Sequence, residues 1–77
     1  MVDYKKLWII LIQKNMSKPQ LRKIADISPS TFTKLNKNEL VSMDVLVRIC
    51  RVLDCDFGDI VEIVKWVFAR GYYVFGN

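Results

Sequence analysis

Pro29, Ser30, Thr33 and Lys34, with Lys37 one turn further on, repeat at three- and four-residue spacing. On a helix that spacing gathers side chains on one face. Phe32 and Leu35, three residues apart, face the other way and give the helix an inward side. The outward groups are hydroxyls and ammoniums, so the chemistry on offer is hydrogen-bond donation and positive charge. Such a face suits recognition of a ligand, with no bond made or broken. Ser17, Lys18, Arg22, Ser28, Thr31 and Asn38 add further polar groups within the same stretch, Ser17 to Asn38.

Catalysis has little to work with. The chain has no His, no glycine-rich phosphate loop and no nucleophile–base pair, so no enzyme, cofactor or small-molecule ligand is expected. Asp54, Asp56 and Asp59 lack the glycine and terminal Glu of a calcium loop and read as helix-capping residues. Cys50 and Cys55 have no second pair and no His beside them. They read as small buried apolar residues rather than as a zinc site or a disulfide.

The elements that must hold the donor face follow from the apolar pattern. Tyr4, Leu7, Trp8, Leu11 and Ile12 predict a first helix over residues 3 to about 15, with Asp3 near its start and Ile9 and Ile10 off the stripe. Ser17 is an N-cap, Gln20 completes a capping box, and Pro19 fits the first turn. Leu21, Ile24 and Ala25 are expected inside. Asp26 ends this second helix, because Asp tolerates the left-handed backbone of a tight turn. Ile27 plugs the turn, Ser28 caps a third helix and Pro29 opens it. A short helix, a tight turn and a second helix with a polar outer face make a helix-turn-helix, whose second helix enters the DNA major groove.

Ser42 caps a fourth helix with Leu46, Ile49, Cys50 and Leu53 inward and Arg48 and Arg51 outward. Asp56 caps a fifth, burying Phe57, Ile60, Val61 and Val64. The reading gives an all-α, five-helix bundle over residues 1–64. The remainder, 65–77, is an aromatic tail that extends helix five to about Ala69 or runs as a strand through Tyr72–Phe75. Its Trp66, Phe68, Tyr72, Tyr73 and Phe75, with Ile9, are candidates for a dimer contact. Packing back onto the core, disorder and contact with a membrane surface are the other fates open to the tail.

Seventy-seven residues make one domain. The longest apolar run, Leu7 to Ile12, is far short of the ~18 residues of a membrane span. No cleavage site for a signal peptide follows Lys14, so a cytoplasmic protein is expected. Net charge is +4, unevenly spread. Residues 1–37 hold eight basic groups against Asp3 and Asp26, and residues 38–77 hold four against six acidic ones. The basic half contains the helix-turn-helix, as a polyanion-binding surface would.

With these helices placed, the chain resembles the Cro/C1-type (XRE) helix-turn-helix regulators. The residues that carry the resemblance are Leu21, Ile24, Ala25, Ile27, Ser28, Ser30-Thr31 and Lys34-Leu35, then Ser42, Leu46, Ile49-Cys50 and Leu53. It is most similar to the short stand-alone members of Gram-positive bacteria, including the VanU-type regulators that accompany vancomycin-resistance operons. The family usually has Ala at the place of Arg22 and Gly at the place of Asp26. Arg22 must then lean outward, and Asp26 must make the turn with some strain. Where the family commonly has Glu-x-Gly, Asn36-Lys37-Asn38 stands, and Asn38 can serve as the left-handed cap.

The resemblance implies a recognition helix at 29–36 in the major groove of operator DNA, bound by a homodimer. Its base-reading positions are Pro29, Ser30, Thr33 and Lys34; Lys34 can donate to guanine, and Thr33 and Pro29 can pack on a thymine methyl. Phosphate contacts are expected from Ser17, Lys18, Arg22, Ser28, Thr31, Lys37 and Asn38. The rival readings are a protein-interaction module using the same scaffold and the aromatic tail, and a nonspecific basic module.

Overall fold

The computed structural model describes residues 1–64 and the backbone of two further strands, Trp66–Ala69 and Tyr72–Phe75. In chain order the elements are β1 (Val2–Asp3), α1 (Lys5–Gln13), α2 (Lys18–Ile24), α3 (Pro29–Asn36), α4 (Met43–Leu53), α5 (Phe57–Ile60), β2 (Glu62–Ile63), β3 (Trp66–Ala69) and β4 (Tyr72–Phe75). The five expected helices are present. One core joins them: Tyr4, Leu7 and Leu11 from the first segment, Leu21, Ala25 and Ile27 around the turn, Phe32 and Leu35 from α3, Val45, Ile49 and Leu53 from α4, and Ile60 from α5. The buried cluster contains no charged side chain.

Local chemistry sets where each helix begins. The hydroxyls of Ser17, Ser28 and Ser42 accept the backbone N–H of Gln20, Thr31 and Val45. Each satisfies a donor that the first turn leaves without a helical partner. Gln20 Oε1 completes the capping box by accepting the Ser17 N–H at 2.7 Å. In α5 the Asp59 carboxylate does the same for the Asp56 N–H at 2.9 Å.

The ends are as regular as the starts. Asn15, Asp26, Asn38 and Asp54 all have φ between 53° and 57°, and each follows the last turn of a helix. After α2, the Ile27 N–H reaches the Arg22 carbonyl and the Asp26 N–H reaches that of Lys23. The same pair recurs after α1 (Met16 to Leu11, Asn15 to Ile12) and after α3 (Glu39 to Lys34, Asn38 to Leu35). These are Schellman closures, usually built on glycine. Here Asn and Asp, which enter the left-handed region more readily than other side chains, fill every one.

The structure departs from the sequence expectation in several places. α1 begins at Lys5, not residue 3, because Val2 and Asp3 pair antiparallel with Ile63 and Glu62. Asp3 still serves the helix, its carboxylate accepting the Lys5 N–H at 2.6 Å. Ile12 is 76% exposed and Ile24 60% exposed, so neither faces inward as expected. The α1 stripe runs through residues 4, 7 and 11, which carries Ile12 round to the outside. In α2 only Leu21 and the capping Ala25 reach the core. On α4 the fully buried side is Val45, Ile49 and Leu53, with Leu46 and Cys50 at its margin. Phe57 lies at the first position of α5 and is 40% exposed. Val61 is already extended, so α5 does not continue toward Ala69. The β-branched residues Val61, Ile63 and Val64 favour strand over helix. Beyond it, β3 and β4 form an antiparallel hairpin with Trp66 opposite Phe75 and Phe68 opposite Tyr73.

Candidate nucleic-acid interface

α3 is oriented by what it buries. Phe32 and Leu35 lock one side into the core, and Pro29, Ser30, Thr33 and Lys34 are all exposed on the other. The four sequence-expected base-reading residues therefore share one accessible face. Thr33 Oγ1 donates to the Pro29 carbonyl at 2.9 Å, so toward a ligand the hydroxyl can act as an acceptor. The Lys34 ammonium, in the last turn, makes no hydrogen bond or ion pair among the described residues.

At the start of α3 three hydroxyls converge. Ser28 Oγ accepts the Thr31 N–H at 3.2 Å, donates to Thr31 Oγ1 at 2.9 Å and lies 3.2 Å from Ser30 Oγ. The first turns of α2 and α3 contain no acidic residue, and their last turns carry Arg22, Lys23 and Lys34. The positive ends of both helices are thus uncompensated by any carboxylate of their own first turns.

Two expected phosphate contacts have further partners. Lys18 Nζ stands 4.1 Å over the Trp8 ring and donates to Asn36 Oδ1 at 2.9 Å. Asn38 Oδ1 accepts the Tyr4 N–H at 3.1 Å, so part of that amide fastens the loop after α3 to the chain start. The buried Tyr4 hydroxyl donates to the Glu39 carbonyl at 2.7 Å in the same loop. Burial raises the Tyr4 pKa, a backbone bond from Val41 working the other way. Ser17, Ser28, Lys37 and Asn38 are exposed, and Arg22 and Thr31 are half-buried.

Arg48 is a residue the sequence assigned wrongly. It was expected to point to solvent, but its guanidinium donates to the carbonyls of Ala25 and Asp26, at the end of α2. Asp44, one turn earlier, pairs with it at 3.1 Å. A cation placed on the last carbonyls of a helix is favourable against its dipole. The Asp44 spacing was visible in sequence, whereas the reach to α2 depends on how α4 crosses it. Trp8, which packs on Phe32 at 5.9 Å, and Asn36 were likewise not singled out as parts of the interface.

The remaining groups lie elsewhere. Cys50 and Cys55 are free and half-buried at the end of α4. Burial first, then the neighbouring Cys55 thiol, pushes Cys50 up to about 11. Among the described residues no cluster of three potential metal ligands forms, and no helix is long and apolar enough to cross a membrane.

Ile27 is buried in the turn and Arg48 closes the end of α2, and the helix that follows turns its polar face outward. The model of the Cro/C1-type helix-turn-helix DNA-binding domain matches residues 6–65, more than half of the chain. The chain belongs to the Cro/C1-type helix-turn-helix family. Among solved structures, the crystal structure of the transcriptional regulator VanUg (Form II) is similar to it, with 56% sequence identity and a TM-score of 0.78. That match covers 79% of this chain and 81% of the other. The comparison with curated proteins found no match. The family is one of DNA-binding domains, not of enzymes.

Proposed function

We propose that this chain is a sequence-specific transcriptional regulator, acting on operator DNA in the cytoplasm as a repressor or autoregulator, and that α3 reads the major groove. The observation that carries the reading is the face of α3. Pro29, Ser30, Thr33 and Lys34 are exposed together on a helix whose register is fixed by buried Phe32 and Leu35. Lys34 is the residue able to donate to guanine O6 and N7, and Thr33 and Pro29 supply apolar contact for thymine. Ser17, Lys18, Arg22, Ser28, Thr31, Lys37 and Asn38 surround that face and would set the register through phosphates.

Paired half-sites one helical turn apart require a two-fold dimer. We place its contact at residues 65–77 with help from Ile9, which is 46% exposed on α1. Trp66, Phe68, Tyr72, Tyr73 and Phe75 lie on the strands of the hairpin. Each strand of a two-stranded sheet has one edge unpaired within that sheet, and such edges accept a further strand.

The test is a titration against promoter DNA of the chain's own operon beside a scrambled duplex, at about 150 mM salt. A preference of ~10³-fold or more is expected for a specific regulator. Lys34→Ala should lose about ten-fold or more in affinity and relax the preference at one base position. Equal binding to both duplexes would reduce the chain to a nonspecific basic module. No binding to either would favour a protein partner.

A further inference from the structure

We propose that Trp8 and Asn36 are positioning residues that hold the Lys18 ammonium ready for a backbone phosphate of bound DNA. The proposal rests on the DNA-binding reading and adds two residues to it. Its basis is the difference, among the described residues, between Lys18 and the other cations with side-chain partners. Lys6 pairs with Glu62 at 3.9 Å, and Arg48 with Asp44 at 3.1 Å. Those charges are offset by carboxylates. Lys18 also has two partners among the described residues, but both are uncharged: the Trp8 ring face at 4.1 Å and the Asn36 carboxamide oxygen at 2.9 Å. Its position is restrained, and among the described residues no carboxylate pairs with its charge.

An ammonium has three donors and no acceptor. Asn36 takes one and the ring face lies against one side, so N–H remains free for an anion. A lysine side chain normally loses much rotamer freedom when it binds, and restraining it beforehand lowers that cost.

The restraint also carries geometry. Trp8 on α1 packs against Phe32, the buried anchor of α3, at 5.9 Å. Asn36 stands at the last position of that same helix. Lys18, on α2, is therefore tied to the helix that presents Ser30, Thr33 and Lys34 directly through Asn36 and indirectly through Trp8 and Phe32. A phosphate taken by Lys18 would fix the backbone of the DNA in a set relation to the base-reading face. That is how phosphate contacts establish register.

The test is a thermodynamic cycle on the full chain, with promoter DNA of its own operon as the probe and affinity measured across a salt series. Lys18→Met should weaken binding about ten-fold. It should also flatten the slope of log affinity against log salt by about 0.9, the value of one neutralised phosphate. Asn36→Ala, at an exposed position, should weaken binding about two- to five-fold with the slope unchanged, and should cost nothing further in the Lys18→Met background. Trp8→Leu should behave like Asn36→Ala, and Trp8→Phe, which keeps a ring face, should recover part of the loss. Thermal melts of the free proteins identify any variant that fails to fold, and Asn36→Ala keeps the cycle readable if a Trp8 variant does. Equal losses from Asn36→Ala in both backgrounds, or an unchanged salt slope in Lys18→Met, would overturn the proposal while the DNA-binding reading stands. A wild-type chain that binds neither promoter nor scrambled duplex would overturn both.

Discussion

The first turns of α2 and α3 hold no carboxylate, whereas α4 carries Asp44 in its first turn and α5 carries Asp59. All four helices need their leading N–H groups satisfied, and an acid near the N-terminus would stabilise any of them by about 0.3–1 kcal/mol. The basic half forgoes that gain and relies on neutral serine caps, Ser17 and Ser28. The other half accepts it, with Asp44 behind the Ser42 cap of α4 and Asp59 behind the Asp56 cap of α5. Folding stability alone gives no reason for the difference. The proposed DNA contact supplies one, because on that reading a carboxylate at the start of α3 would stand against a phosphate or base edge.

The strongest way to break that contrast is to exchange the chemistry of the two halves. Ser30→Glu places an acid in the first turn of α3, where the dipole favours it, so the free domain should hold or gain about 0.5 kcal/mol. DNA affinity should fall by about 100-fold or more, since like charges pressed together cost several kcal/mol. Asp59→Asn keeps an oxygen for the Asp56 N–H and removes a charge from the other half. Its affinity should stay within about two-fold of wild type, the change expected of a distant charge screened by salt. Measured by anisotropy at one salt concentration, similar effects of the two substitutions would remove the distinction between the halves.

What was legible in the sequence divides along a related line. Starts and stops were readable because they are local: Ser17 with Gln20, Ser28 with Pro29, and Asp26 in the left-handed turn all act within five residues of themselves. The donor face of α3 was readable for the same reason, as Phe32 and Leu35 fix its orientation by spacing alone. Contacts between distant residues were not. Nothing near Val2 announces its pairing with Ile63, nothing near Arg48 announces the Ala25 carbonyl, and Lys18 meets Trp8 only once α1 and α2 are packed. The exposure of Ile24 and Ile12 was misjudged because an apolar residue at helical spacing can still fall just beyond the edge of a buried stripe.

A smaller effect separates the loop after α3 from the rest. Tyr4→Phe keeps the buried ring and removes the bond to the Glu39 carbonyl, so stability should fall by about 1 kcal/mol. The alkaline limb of the stability curve should change as well. Burial raises the Tyr4 pKa above its ordinary 10.0 in the folded chain. The unfolded chain therefore releases that proton first, and Tyr4 adds stability that is complete below about pH 10 and lost as pH rises through the folded value. Cys50, raised to about 11, contributes to the same decline, so Tyr4→Phe should flatten the fall and not abolish it. Denaturant midpoints between about pH 8 and 11 would measure this; an unchanged decline would remove Tyr4 from the account.

The finest comparison is between two left-handed caps at the two ends of the interface. Asp26, with φ of 53°, uses its backbone carbonyl to accept from Arg48, and its side chain makes no hydrogen bond among the described residues. Asn38, with φ of 57°, uses its side chain, which accepts the Tyr4 N–H. Glycine enters this backbone region without the steric cost of a Cβ, though it loses more freedom on folding. Asp26→Gly should therefore gain about 0.5 kcal/mol and raise Tm by about 2–4 °C, the carbonyl bond to Arg48 being retained. Asn38→Gly gains the same relief but gives up the bond to Tyr4, worth about 1 kcal/mol, and should come out slightly destabilised. Melts of the two variants side by side test whether these turns differ in the way their hydrogen bonds imply. A gain at both positions would mean that Asn38 contributes only its backbone shape, and that the loop after α3 is held by Tyr4 through its hydroxyl alone.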